Sequence, residues 1–331
     1  ASLRIARLCR DLMGGQIDSI LIEFDPNGSL ATTHKDQGSD MGLFGGFLGW
    51  DADDERLPES ERYLAEAGIS VAIEIVDIGA THPNTYKITL SNSTETRRLT
   101  AISTGGGMIE VTEIDGAAVS IAGDYFETLV YTTSPEAVQE FVTDRIQHEY
   151  AGTHAGEVVF VEIKSREFPP VEILDELLAR PDVTLVRRLK PVLPVLARRD
   201  LDVPFETCEE MLAFNEGKEL ALWELAAEYE SARGGISRAN VFEKMRSIVR
   251  IMDNAIKLGL KGTEYSDRIL GSQSLQLRQQ LDSRALIGGD ANNTIIMYVS
   301  AMMEVKSSMG VIVAAPTAGS CGALPGAVFG V

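Results

Sequence analysis

The chain has 331 residues, 44% of them apolar and 24% charged, which excludes a disordered, collagen-like or disulfide-scaffold protein. Its 30 Lys and Arg against 49 Asp and Glu leave a net charge of −19. That is the opposite of the basic footprint of phosphate-backbone binders, so no nucleic-acid partner is expected.

Residues 1–122 alternate helix and strand signals. Apolar residues at helical spacing from Leu3 to Met13 stop at Gly14-Gly15. Ser19 to Phe24 reads as a strand closed by the turn Asp25-Pro26-Asn27-Gly28. Gly38 to Leu48 is glycine-rich and apolar. Pro58 to Gly68 reads as a short helix. Strands are expected at Val71–Val76, Tyr86–Leu90, Leu99–Ile102, Met108–Ile114 and Ala117–Ile121, giving an α+β domain with a mostly antiparallel sheet. Residues 123–195 form a second unit in the order β-α-β-α-β: strand Leu129–Thr133, helix Pro135–His148, strand Glu157–Ile163, helix Pro170–Arg180, strand Val183–Leu189. That order matches half of a ferredoxin-like sandwich. Pro191, Pro194 and the polar run Arg198–Asp202 read as a linker. Residues 196–331 are helical. Leu222, Leu225, Ala226 and Tyr229 form one stripe. Ser237 caps a long helix with the stripe Val241, Met245, Ile248, Met252 and Ala255, ending at Gly259. Ile296, Val299 and Met303 form a third stripe, and Met302, Met303 and Met309 read as core.

Cys9, Cys208 and Cys321 are too far apart for a disulfide framework and read as reduced thiols of a cytoplasmic protein. No apolar run reaches the ~18 residues of a membrane helix, and no signal peptide opens the chain, so no membrane association is expected. The chain opens on Ala1 without methionine and stops in the apolar run Gly326–Val331, so a longer native polypeptide is expected, mostly beyond the C-terminus.

Three segments could carry chemistry. Eight of the nine residues Ala314–Gly322 are Ala, Gly, Ser, Thr or Pro, and the ninth is Cys321. Small side chains let backbone approach a ligand, and a thiol among free N–H groups suits a soft metal or cluster. A buried free cysteine at a tight helix junction accounts for the same pattern, and one cysteine cannot hold a cluster. Ser103-Thr104-Gly105-Gly106-Gly107, between two strands, is either a carboxylate cradle or a tight turn. His34, Ser39 and Asp40 offer a substrate clamp or an acid–base pair, or simply a solvated loop. His82-Pro83-Asn84 is a polar anchor or a turn, and His148 and His154 have no partner at a useful spacing.

Particular strings go further. Gly28-Ser29-Leu30-Ala31, Gly38-Ser39-Asp40, Gly45-Gly46, Asp53–Pro58 with Ser60, His82-Pro83-Asn84-Thr85 and Ser103–Gly107 resemble the β region of bacterial iron-sulfur L-serine dehydratases. Glu304–Gly326, EVKSSMGVIVAAPTAGSCGALPG, is similar to the first cluster-cysteine segment of that family's α region, and Arg284–Ala291 to a motif just upstream. The middle unit resembles an ACT-type regulatory domain, although Thr133-Ser134-Pro135 lacks the glycine such domains often use. The first region also resembles the allosteric substrate-binding domain of some phosphoglycerate dehydrogenases.

The resemblance implies a lyase converting L-serine to pyruvate and ammonia, in amino-acid degradation and gluconeogenesis. It implies a [4Fe-4S] cluster, no pyridoxal phosphate, and a homodimer. It makes Cys321 the first cluster ligand and Thr317 and Ser320 catalytic. Substrate binding would fall to Pro316, Ala318, Gly319, Ser103, Thr104, Gly105, Gly106, Gly107, His34, Ser39 and Asp40. Gln37 stands where the family pattern has histidine, the family's opening Ser-Ser-Ser-His-Thr-type segment is absent, and so are the two further cluster cysteines. A lyase for another β-substituted amino acid and a non-catalytic serine-binding regulator are the competing readings.

Overall fold

The computed structural model describes residues 1–194, 202–264, 271–315 and 317–331. The chain divides into two compact units, Ala1–Ala52 with Arg56–Asp200, and Asp53–Glu55 with Leu201–Val331.

The first unit begins with α1 (Ser2–Leu12), whose Ile5, Leu8 and Leu12 are fully buried. It leads through β1 (Ser19–Phe24) to α2 (Leu30–Thr33) and α3 (Ser39–Phe47). The glycine-rich segment left unassigned by its sequence is thus mostly helix. It has no single apolar stripe because α3 is covered on more than one side. Gly46 sits where a Cβ would collide with the Leu3 carbonyl oxygen and Ala6 Cβ, so α1 and α3 cross in close contact. A 3₁₀ turn (Leu57–Glu59) and α4 (Ser60–Glu66) follow. Then come β2 (Ser70–Ile75), β3 (Thr85–Ser91), β4 (Thr96–Gly105), β5 (Met108–Ile114) and β6 (Ala117–Ile121). The sheet order is β2-β1-β3-β4-β5-β6; β1 and β2 pair in parallel and all other pairs are antiparallel. Ile20, Ile22 and Phe24 alternate with more exposed residues, which turns one face of β1 into the core.

The second sheet is built from β7 (Phe126–Thr132), α5 (Pro135–Arg145), β8 (Tyr150–Ala155), β9 (Val159–Ser165), α6 (Val171–Leu178) and β10 (Val183–Leu189). It is antiparallel in the order β10-β7-β9-β8, a complete βαββαβ unit. The expected β-α-β-α-β order is corrected by β8. That edge strand, Tyr-Ala-Gly-Thr-His-Ala, buries no residue fully and so carries no apolar alternation. Val130, Val161 and Ile163 pack with Val138, Val142 and Leu177, whereas Leu129, Tyr131 and Phe160 join the core of the first sheet. Arg187 Nε donates to the Leu12 carbonyl at 2.7 Å, and the Lys190 N–H to Asp11 Oδ2 at 2.8 Å, tying the second sheet to α1. Of the expected linker, residues 195–201 lie outside the described residues.

The second unit contains α7 (Cys208–Asn215), α8 (Leu222–Gly234), α9 (Arg238–Gly259), α10 (Ser274–Asp282), α11 (Asp290–Ser307) and α12 (Ala323–Gly330). Ser237 accepts the Asn240 N–H at 3.2 Å and starts α9 as its sequence predicts. The core gathers Ala255, Ile256, Met302 and Val305. Only the C-terminal half of the α9 stripe is buried; Met245 is exposed. On α8, Leu225 and Ala227 turn inward and Leu222 outward. On α11 the buried face runs through Met297, Ala301, Met302 and Val305 rather than the expected Ile296, Val299 and Met303. Ile296 is exposed, and Val299 and Met303 instead lie against Gly322 before α12.

Candidate active site

In the first unit the turn after β1 is anchored by Asp25. Its carboxylate is held below the usual range by the N–H of Asn27, together with those of Ala80 and Ile78. This pins the loop before β3 beside the start of α2. There Ser29 N–H donates to the Pro83 carbonyl at 2.8 Å and Ser29 Oγ to Asn84 Oδ1. Thr85 Oγ1 donates to the His82 carbonyl at 2.7 Å, so His82–Thr85 is a locked turn. The Ser103 N–H donates to the Asn84 carbonyl at 3.0 Å.

These contacts line a cavity of about 470 Å³ with the hydroxyls of Ser2, Ser39, Tyr86 and Ser103 and the amide of Asn84, against Leu3, Leu30, Met41 and Leu57. Ser2 Oγ and Tyr86 Oη are 3.1 Å apart, and Gln37 Nε2 donates to Ser39 Oγ at 3.0 Å. The polar lining is therefore neutral and hydroxyl-rich. Such a lining offers hydrogen-bond donors and acceptors without a charged side chain.

Ser39 and Ser103, 64 positions apart in the sequence, meet at this cavity. His34 and Asp40 meet each other: Nδ1 lies 2.7 and 2.8 Å from the two carboxylate oxygens, with the imidazole against Phe24. Thr104 and Gly105 end β4, and Gly105, Gly106 and Gly107 all have positive φ, 99°, 60° and 81°, forming a hairpin turn. The Gly107 carbonyl accepts from Arg4 Nη1 at 2.5 Å. Sequence reasoning missed Ser2 and Tyr86, which carry no motif, and left Asn84 open between anchor and turn.

In the second unit, Thr317 precedes a single 3₁₀ turn, Ala318–Ser320. Thr317 Oγ1 and Ser320 Oγ are 3.1 Å apart, and Ser320 Oγ reaches the Ala315 carbonyl at 3.2 Å. Thr317, Ala318 and Gly319 are exposed; Pro316 lies outside the described residues. Cys321 follows at once, 0% exposed, its Sγ 3.9 Å from Met303 Sδ. Burial pushes its thiol pKa up, with Lys306 opposing. Among the described residues no three His, Cys, Asp or Glu side chains are grouped to hold a metal ion. Cys9 is buried in the first unit and Cys208 is exposed.

Glu304, at the head of the string that contains Cys321, went unassigned in the sequence. Its carboxylate accepts from Ser272 Oγ (2.9 Å), the Gln273 N–H (2.6 Å), the Ser274 N–H (2.8 Å) and Ser274 Oγ (2.7 Å). Burial works against the charge, but these donors win and hold the carboxyl below its ordinary value. Glu304 thus closes the first turn of α10 from α11.

Fold and site describe an α/β unit with a neutral small-molecule cavity and a helical unit with a buried thiol in a small-residue segment. The family described as serine dehydratase alpha chain matches residues 217–331. A probable L-serine dehydratase beta chain of Bacillus subtilis (strain 168) is 31% identical over 194 residues, 56% of this chain and 87% of that one. The beta chain of L-serine dehydratase from Peptoniphilus asaccharolyticus is 30% identical over 142 residues, 42% of this chain and 63% of that one. The probable alpha chain from the same Bacillus is 25% identical over 127 residues, 38% of this chain and 42% of its own length. The chain belongs to the L-serine dehydratase family. It joins in one polypeptide similarity to the separate beta and alpha chains of Bacillus subtilis.

Proposed function

We infer that the chain carries out L-serine dehydration. The α-proton and β-hydroxyl leave as water, the enamine product tautomerises to an imine, and water hydrolyses it to pyruvate and ammonia. The observation that carries this reading is the Ala314–Gly322 string with its buried Cys321, inside the segment matched by the alpha-chain family.

Within that reading Cys321 would be one ligand of an iron-sulfur cluster of the [4Fe-4S] type, which would supply Lewis-acid chemistry. The described residues bring no second thiol to Cys321 and do not by themselves make up a cluster site. Thr317 and Ser320 act through their paired hydroxyls as catalytic hydrogen-bonding groups, with Pro316, Ala318 and Gly319 shaping the substrate pocket. In the first unit, Ser39 and Ser103 hold a serine-like molecule in the neutral cavity. The His34–Asp40 pair keeps the loop before α3 in place, and Thr104 and Gly105–Gly107 border the site. The domain division is 1–122, 123–195 and 196–331, the middle one an ACT-like regulator supported by its βαββαβ order. The enzyme is cytoplasmic and a homodimer. Among the described residues no helix is long and apolar enough to cross a membrane.

The test is a steady-state assay of 2-oxo acid and ammonia from L-serine, L-threonine and L-cysteine, the 2-oxo acid being pyruvate from L-serine and L-cysteine and 2-oxobutyrate from L-threonine. Equimolar pyruvate and ammonia with the highest kcat/KM for L-serine is expected. A higher kcat/KM for L-cysteine reassigns the substrate, and serine binding without product overturns the enzyme reading.

A further inference from the structure

The turn between β5 and β6 holds a residue in a conformation that its type rarely adopts. Asp115 has φ +49°, in the left-handed region, and is 5% exposed. Glycine would hold that φ without strain, so what aspartate adds is its carboxylate. Oδ1 accepts the Arg98 N–H at 2.9 Å, and Oδ2 accepts from Arg97 Nη1 at 3.0 Å and from Tyr131 Oη at 3.4 Å. The two arginines are on β4 of the first sheet and Tyr131 is on β7 of the second. The Asp115 carbonyl accepts the Glu157 N–H at 2.9 Å, from the turn between β8 and β9. One strained residue thus gathers donors from both sheets.

The sheets meet there edge to edge, since β6 is the last strand of the first and β8 the last of the second. A Cβ on Gly156 would stand 2.3 Å from the Ala117 nitrogen and 2.7 Å from the Asp115 carbonyl oxygen, so the two turns touch backbone to backbone. Further along the edge, His154 Nδ1 lies 2.7 Å from the Ala118 carbonyl oxygen, and Lys164 Nζ donates to the Ser120 carbonyl. Glu162 holds both side chains from behind, at 2.8 Å from His154 Nε2 and 3.5 Å from Lys164 Nζ. Carbonyls that an open edge strand would offer to another chain are therefore answered by side chains of the second sheet. Arg97 also pairs with Glu95 at 2.9 Å, and Glu95 with Arg187 on β10. The network so reaches both outer strands of the second sheet, β8 and β10.

We propose that Asp115 is a latch that holds the βαββαβ unit fixed on the first sheet, so that the unit moves with that sheet rather than swinging as a hinged domain. A signal that passes through the unit must break this seam, which uncovers the edges of β6 and β8. The proposal stands on this geometry and is independent of the dehydratase reading.

The test uses the full chain with nitroxide labels at Ser93→Cys and Glu140→Cys, both exposed positions, in a Cys208→Ser background, since Cys9 and Cys321 are buried. Pulsed electron resonance should give one narrow distance with the seam intact. Asp115→Gly keeps the φ and deletes the carboxylate; Gly156→Ala forces the two turns apart. Either should broaden the distance and speed amide exchange in β6 and the β8–β9 turn at least about tenfold, with β1 and β3 unchanged. A broad or multiple distance with the seam intact, or folded variants with unchanged distance and exchange, overturns the proposal. The distance in the chain with the intact seam decides even where both variants fail to fold.

Discussion

Two buried glutamates, one in each unit, show opposite solutions to the same problem. Glu127 lies in the second sheet at 0% exposure with neither oxygen hydrogen-bonded, and its carboxyl is pushed well above the ordinary 4.5. Glu304 lies on α11 at 8% exposure with four donors on its oxygens, and its carboxyl is held below 4.5. Burial disfavours the charge in both; the number of donors decides the outcome. Glu304 works as a charged strut between helices. Glu127 answers burial the other way, by favouring its neutral, protonated form.

The largest expected effect comes from removing the strut. Glu304→Ala orphans the donors of Ser272, Gln273 and Ser274, and should destabilise α10 by about 3 kcal/mol, read as faster amide exchange in Ser274–Asp282. An unchanged exchange rate there would break the comparison at its strong end.

Acid gives the next largest effect, with opposite signs in the two units. Glu304 contributes stability that is fully present above pH 4.5 and is lost as pH falls through its lowered folded value. The raised Glu127 contributes stability present below pH 4.5 and lost as pH rises through its folded value. Exchange measured from pH 3 to 8 should therefore show α10 loosening at the acid end while β7 does not loosen with it.

Glu127→Gln keeps the shape and removes the need to hold a proton, so it should change stability by less than about 1 kcal/mol or raise it, and flatten the pH dependence of β7. The smallest effect belongs to His154, whose pKa is raised above 6.5 by its contact with Glu162, with burial opposing. Its contribution is complete below pH 6.5 and lost above its folded value, so His154→Gln should remove a slope of about 0.5 kcal/mol on the alkaline side, visible as a change in Tm.

The same contrast explains what was legible beforehand. β1, β5, β6 and β10 match their expected bounds, because each carries its pattern in its own residues. β8 was missed because an edge strand of small and polar residues needs no apolar face, and α3 because a helix covered on several sides shows no stripe. Ser39 and Ser103 were named from local strings, and the fold brings both to one cavity. Glu304 and His154 were not given roles. The donors to Glu304 lie about 30 positions upstream, and the partner of His154 is on the neighbouring strand. Cys321 was found because its surroundings, a run of small residues, are themselves a sequence feature.

The most direct test of the central claim measures iron, acid-labile sulfide and pyruvate formation together on the native protein purified without air, beside Cys321→Ser. The account predicts iron and sulfide in the native protein, turnover of L-serine that decays in air, and a loss of more than ~100-fold in turnover together with lower iron in Cys321→Ser. Full serine turnover in Cys321→Ser with unchanged iron content would contradict it.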